Sequence, residues 1–385
     1  MIITLELTRA TAFSLALVFC LSILGAIYLH KLATRQRCAC SLCVGEFRLL
    51  QELGFGGFGR VFLVNEKATE QVYVMKKILA TDLNAANSAQ REAKKLRMLS
   101  HRLVVGYIVD FLHVEELVAA RVVVDPQLFV CIVMEHCSNG DLKKFMEKQR
   151  EGHHDDDDEP SYLEAERVCR WMHQIATALE YCHAQGVVHR DIKAHNVFLS
   201  EDLEIRLGDF GLSRQCGFVD TTMTPSTTSP SSSPVRLRHR LNSTASDVPK
   251  ERCRSPVRHV AFQSFTTAGT DIYRAPELFS GDDSGFGHNY AQVDMWCCGL
   301  LFVELLSLQF TWERPGLVGA RALRDGLDFV FEDIPSGYPD AVLSVCRKLL
   351  HIDPAARLGA PGLKSALETV FPELAGIDYN DDVGR

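Results

Sequence analysis

The stretch VVHRDIKAHNVFL at 187–199, followed shortly by RLGDFGL at 206–212, decides how the chain is read. Apolar runs on either side of each polar group imply short buried strands that hold the residues between them on a rigid loop. Asp191 is placed to orient an attacking hydroxyl and take its proton. Lys193, two residues on, can neutralise charge on a moving phosphoryl group. Asn196 and Asp209 offer hard oxygen atoms to a magnesium ion. Phosphoryl transfer asks for little covalent help from a protein, so these few groups form most of what it needs.

Working outward, Phe47 to Leu53 reads as a strand that runs into LGFGGFGRV, where Gly54, Gly56 and Gly59 form G-x-G-x-x-G-x-V ahead of the apolar run Val61 to Val64. The third glycine opens a second β-rich run rather than a helix. That argues against a dinucleotide-binding fold and for a lid over nucleotide phosphates, where missing Cβ atoms let backbone N–H groups approach the oxygens. Leu53, Phe55, Gly57, Phe58 and Val61 complete the candidate lid. Alternation along Val72, Val74 and Lys76 makes the next strand and puts the Lys76 ammonium on the face of two apolar side chains; Lys77 is expected to face solvent. Glu92, on a helical stretch from Asn87 to Met98, is the candidate partner of Lys76, and Leu96 one turn later is expected to face the core.

With YVMK, YRAPE and DMWCCG added, the ordered set from Phe47 to about Arg357 resembles the eukaryotic protein kinases. The resemblance implies an α+β, bilobal protein kinase fold with a small β-rich N-lobe and a larger helical C-lobe. It also implies ATP and Mg²⁺ as cofactors and proteins as substrates. On the same resemblance Glu277 of APE partners Arg357, Asp294 braces the HRD loop, and His189 stacks with Phe210 in the active arrangement.

Finer features, among them Val74 before Lys76, IVMEHCSNGDL, HNVFL and LGDFG, resemble the NIMA-related serine/threonine kinases. That likeness makes Met134 the gatekeeper, sets the backbone of Glu135 and Cys137 against adenine, and puts Asp141 near the ribose. The lysine of HRDIK and the pair Gly269-Thr270 resemble serine/threonine rather than tyrosine kinases, although Asp271-Ile272-Tyr273 departs from the subgroup's usual Pro-Tyr-Tyr. A scaffold that keeps the fold without transferring phosphate is the rival reading. Such proteins usually lose the residues equivalent to Lys76, Asp191 or Asp209, and all three are present here.

Composition bounds the rest. The 385 residues carry 41 Lys+Arg against 49 Asp+Glu, a net charge of −8, which argues against bulk nucleic-acid binding. Thirteen cysteines, an odd number, do not read as a secreted disulfide framework. From Ala10 to Leu29 no residue is charged, a length of roughly 30 Å as a helix and longer than the apolar core of a cleaved signal peptide. His30, Lys31, Arg35 and Arg37 follow it, so the expectation is a single-pass membrane protein with its catalytic part facing the cytoplasm. Cys38, Cys40 and Cys43 lie just beyond; free thiols are the leading reading there, acylation is open, and zinc lacks a fourth ligand. The acidic run Gly152 to Pro160 reads as a solvated loop.

Expected boundaries follow: 1–9 an extracytoplasmic end, 10–29 a transmembrane helix, 30–46 a juxtamembrane linker, 47–371 the kinase domain (N-lobe 47–137, C-lobe 138–371), and 372–385 a tail. Within the domain, 214–262 is expected as a disordered insert in the activation segment, rich in Ser, Thr and Pro. Between Ser213 and Thr267 there are eight Lys+Arg and three acids, so this part is +5 and the remainder −13. Thr224, Ser229, Ser233 and Ser255 each precede a proline and suit an upstream proline-directed kinase. Thr266, with Thr267 close by, is the candidate activating site, its phosphate expected to pair with Arg190. No heptads follow Arg357, so a monomer is the default.

Overall fold

Runs of β-branched and aromatic residues build an antiparallel sheet from β1 (Arg37–Cys38), β2 (Phe47–Gly56), β3 (Gly59–Glu66), β4 (Val72–Leu79), β5 (Tyr107–Ala119) and β6 (Val122–Glu135). The spatial order is β1-β5-β6-β4-β3-β2. The computed structural model describes residues 37–38, 46–56, 59–119, 122–151, 162–215, 271–279, 290–314, 316 and 318–379. Period-two alternation sorts the sheet's faces: Phe47, Phe62, Val64, Met75, Phe111, Cys131 and Val133 make one small core, while Val130 and Ile132 join the main core on the other side.

Helix α1 (Leu83–Met98) packs on that second side. Its N-terminus is capped by Asp82, whose Oδ1 accepts a 2.7 Å bond from the Ala85 N–H, and it buries Ala89, Glu92, Ala93 and Leu96 at helical spacing. The burial of Glu92 among apolar neighbours is the first sign of a functional constraint on this helix.

The larger lobe is helical: α2 (Leu142–Glu151), α3 (Ala165–Ala184), α4 (Tyr290–Ser307), α5 (Val318–Asp325), α6 (Asp340–Leu349) and α7 (Ala360–Val370). Every residue of α4 from Val293 to Leu306 is buried, because a helix apolar on all sides can only be a core helix. Side chains such as Trp296 and Phe302 each contribute about 1.5–3 kcal/mol through burial. Short strands β7 (Val187–Val188), β8 (Val197–Leu199), β9 (Ile205–Leu207) and β10 (Arg214–Gln215) pair antiparallel as β7 with β10 and β8 with β9. These pairings hold the two loops carrying Asp191 and Asp209 between strand ends. The architecture is the two-lobed one expected.

Several expectations are corrected. Lys77 is not solvated: its ammonium is bonded to Glu115 and lies 4.2 Å from the centre of the Phe129 ring, because β5 and β6 run on past the end of β4 and cover it. The linker 30–46 contributes a strand, since Arg37 and Cys38 pair with Glu116 and Glu115 of β5. The insert starts later than 214, as Arg214 and Gln215 pair with Val188 and Val187. Nor is 372–379 a loose tail, for Leu374 and Tyr379 are buried in the main core.

Among the described residues no helix is long and apolar enough to cross a membrane. The span expected at 10–29, Cys40, Cys43, the acidic run 152–160, Gly57, Phe58 and the sites Thr224, Ser229, Ser233, Ser255, Thr266 and Thr267 lie outside the described residues.

Candidate active site

Between the lobes lies a cleft of about 390 Å³. Leu53, Gly54, Val61, Val74, Lys76, Glu92, Met134, Glu135, Cys137, Asp141 and Asp209 all line it, so eleven of the residues singled out by sequence meet in one place. Phe55, Gly56 and Gly59 sit at the turn between β2 and β3 instead. Gly59 has φ +120°, and a Cβ there would stand 2.3 Å from the Lys77 carbonyl oxygen, so β3 leaves the turn against β4 only as glycine.

Lys76 reaches into the cleft from β4. Its Nζ donates to Glu92 Oε1 at 2.7 Å and to Asp209 Oδ1 at 2.8 Å, joining the sheet, α1 and the loop after β9. Burial by itself would lower the Lys76 ammonium, but Asp209 and Glu92 hold it above its ordinary value, and it stays charged. Asp209, despite burial, is held below its ordinary value by Lys76, while burial pushes Glu92 up. The two carboxylates differ in their neighbours: Asp209 also accepts from the Gly211 N–H and stands near His189, both of which lower it, whereas the Asp209 charge raises Glu92 further.

Asp191, Lys193 and Asn196 are not among the residues lining the cleft but stand on the adjoining loop, tied to the Asp209 loop by the Gly208 N–H, which donates to the Asn196 backbone carbonyl at 2.9 Å. There Lys193 Nζ donates to both oxygens of Asp191, at 3.0 and 2.8 Å. Asn196 Nδ2 donates to Asp191 Oδ2 and to its backbone carbonyl, each at 2.8 Å. The loop itself is fixed from below: Asp294 of α4, fully buried, accepts from the His189 N–H at 2.9 Å and the Arg190 N–H at 2.6 Å. That bracing holds Arg190 at φ 68° and matches a similar left-handed backbone at Asp209, φ 59°. His189 Nε2 lies 2.9 Å from the Gly208 carbonyl and its ring 4.8 Å from that of Phe210, which ties the two loops together. Further out, Arg357 Nη1 and Nη2 donate to the two Glu277 oxygens at 2.8 and 2.9 Å.

The donor set suits a hard divalent cation. Asn196 commits its amide nitrogen to Asp191, which leaves its side-chain carbonyl oxygen as the atom to offer a cation, and Asp209 offers a carboxylate with one oxygen engaged by Lys76. Among the described residues no group of three or more His, Cys, Asp and Glu gathers to cage a metal. Such a sparse set fits a divalent ion that keeps waters and takes phosphate oxygens as further ligands.

Sequence reading missed part of the wall. Val105 and Phe198 close the cleft's apolar side, where Gly208 leaves room for them; a Cβ there would stand 2.8 Å from each. Phe198 carried a signal, since it alternates with Val197 and Leu199, both fully buried, and so must point the other way. Val105 carried none, because its place depends on the bond from its N–H to the Leu207 carbonyl.

Comparison with known proteins agrees with this geometry. The protein kinase domain family matches residues 47–248, from the start of β2 through the loops carrying Asp191 and Asp209. The chain is 32% identical over 171 residues to the rice serine/threonine-protein kinase Nek3, covering 44% of this chain and 26% of that protein. It is 28% identical over 340 residues to the Arabidopsis serine/threonine-protein kinase AGC1-5, covering 81% and 54%. To the Arabidopsis serine/threonine-protein kinase WAG2 it is 31% identical over 270 residues, covering 68% and 51%. The chain thus spans between about a quarter and about half of these relatives' own lengths. With the matched region taking in more than half of its residues and every group described around the cleft up to Asp209, the chain belongs to the protein kinase family.

Proposed function

We propose that this chain is an ATP-dependent protein serine/threonine kinase, held at a membrane by residues 10–29 with its catalytic unit in the cytoplasm. The observation that carries the catalytic reading is the meeting of Lys76, Glu92 and Asp209 in one cleft, with Asp191, Lys193 and Asn196 on the loop bonded to the Asp209 loop through Gly208. Lys76 would hold the α- and β-phosphates, positioned by Glu92. A substrate hydroxyl would be oriented by Asp191 and give up its proton to Oδ1, the oxygen that Asn196 leaves free. The bond from the γ-phosphorus to ADP breaks as the new bond to the serine or threonine oxygen forms, and Lys193 offsets the charge on the moving group. Magnesium, held by Asp209 and Asn196, would supply charge neutralisation at the phosphates. The names of the relatives support serine and threonine as acceptors, as does the lysine of HRDIK.

A radiolabelled-ATP assay on myelin basic protein tests the reading, with wild type beside Asp191→Asn. Transfer by wild type and its loss in the variant are expected. Equal activity in both rejects Asp191, and no activity in either favours a scaffold. Alkaline carbonate extraction tests the anchor, since release of the chain into the supernatant rejects a spanning helix.

A further inference from the structure

The side chain of Glu135, in the segment that links the two lobes, turns into the protein. Its Oε2 accepts from the Gly106 N–H at 2.9 Å, and its Oε1 lies 3.3 Å from Arg206 Nε. Arg206, 7% exposed, also lies 3.6 Å from Glu204, which accepts two bonds from Arg102 at 2.9 and 3.0 Å. An ion chain therefore runs Arg102–Glu204–Arg206–Glu135 from the loop after α1 to the interlobe segment. Strand β9, which bears Arg206, is stitched on both sides. The Leu207 N–H donates to the Leu103 carbonyl at 2.8 Å, and the Ile205 N–H donates to Gln174 Oε1 of α3 at 3.1 Å.

The C-terminal residues close over this arrangement. After α7 the chain turns at Pro372–Leu374, buries Leu374 fully and returns to α3, where the Tyr379 ring lies 6.0 Å from that of His173, the neighbour of Gln174. His173 Nε2 lies 3.0 Å from Glu368 Oε1 of α7. Burial raises the Tyr379 phenol above its ordinary value, and the charges of Glu204 and Arg102 are close enough to act on it. Burial likewise lowers His101, with the Lys364 and Arg206 charges acting in the same direction and the Asp378 charge against them. The strap and the ion chain are thus in one neighbourhood.

We propose that residues 372–379 are a strap that seats β9 against the interlobe segment, making Tyr379 and Arg206 positioning residues for the nucleotide. The proposal rests on the reading of the cleft as an ATP site. Glu135 lines that cleft, and its side chain is held by Arg206, so loosening β9 loosens a residue that would meet adenine. The Asp191 loop is braced separately by Asp294, so the cost falls on affinity rather than on transfer.

The test is titration of the full chain with a fluorescent N-methylanthraniloyl ATP, beside steady-state kinetics. Tyr379→Ala and Arg206→Gln are each expected to raise Kd and the KM for ATP about fivefold, with kcat at saturating ATP changed less than about twofold. Tyr379→Phe, which keeps the ring, is expected to bind as wild type does. A double variant should bind no worse than the weaker single one, because both act through one chain. Unchanged Kd in Tyr379→Ala, even with a lower melting temperature, overturns the strap, and so does multiplicative weakening in the double variant. A wild type that binds nucleotide without transferring phosphate sinks the kinase reading and leaves the binding test standing. One that binds no ATP overturns both.

Discussion

The ammonium of Lys76 lies 2.8 Å from Asp209 Oδ1, although 133 residues separate them in the chain. This contact fixes the small lobe on the loop after β9, and Glu92 completes it from α1 at 2.7 Å. Removing the ammonium leaves two carboxylates facing each other in a buried place. Lys76→Met is therefore expected to cost about 3–5 kcal/mol of stability, and to abolish transfer. Adding Glu92→Gln should return part of the stability in urea denaturation and none of the activity. If Lys76→Met unfolds at the wild-type midpoint, the triad does not hold the lobes.

Glycine at 59 answers to backbone geometry rather than to a ligand. Gly59→Ala must either abandon φ +120° or push the Lys77 carbonyl away from a Cβ 2.3 Å distant. A loss of about 1–3 kcal/mol is expected, with a raised KM for ATP because the lid is displaced. Calorimetry beside ATP kinetics reads both; an unchanged melting temperature would show that the turn relaxes freely.

A buried carboxyl away from the cleft sets a pH dependence. Glu304 of α4 accepts from the Tyr273 hydroxyl at 2.5 Å and the Thr311 N–H at 2.7 Å, and burial raises it from 4.5 to about 7. The folded protein then keeps a proton that the unfolded chain has already lost, so this group's contribution is most favourable below pH 4.5 and is lost as pH rises to about 7. The loss is about 3 kcal/mol. Glu304→Gln keeps the accepting oxygen without the charge, so its stability relative to wild type should improve by that order between pH 5 and pH 8. A difference that does not move with pH would contradict the buried charge.

Arg190 and Arg214 both stand over the Tyr290 ring, 5.2 and 5.4 Å from its centre. Two guanidinium groups on one ring repel each other and suit a shared phosphate. Thr266 lies outside the described residues, and its place three residues before Gly269 makes it the candidate activating site. Thr266→Ala should lower the kcat of the phosphorylated enzyme by about tenfold or more, with Kd for ATP little changed. Should kcat hold, Thr267 becomes the candidate.

The candidate residues of the Asp191 and Asp209 loops were legible because they stand close together in sequence on loops whose flanking strands announce themselves. Asp191, Lys193 and Asn196 span six positions, and their mutual bonds follow from a single tight turn. The glycine loop was equally readable, since alternation and glycine spacing are local. Lys77 was misread for the complementary reason: a period of two says which face a residue takes but not what covers that face, and here the long β5–β6 hairpin does. Val105, Arg206 and Tyr379 gave no local sign, because each owes its place to a partner more than sixty residues away or on another element.

By itself, then, the sequence determined the chemistry available: which acids, which lysine, which glycines, and in what order along the chain. Tertiary structure decided their use. Only packing brings Lys76 between Glu92 and Asp209, Arg357 onto Glu277 and Tyr379 onto α3, since each contact depends on burying apolar surface that brings distant segments together. Packing also sets the electrostatics: burial raises Glu304 to about 7, while the Asp209 and Glu92 carboxylates keep the buried Lys76 ammonium charged, because a side chain's affinity for its proton is a property of its surroundings.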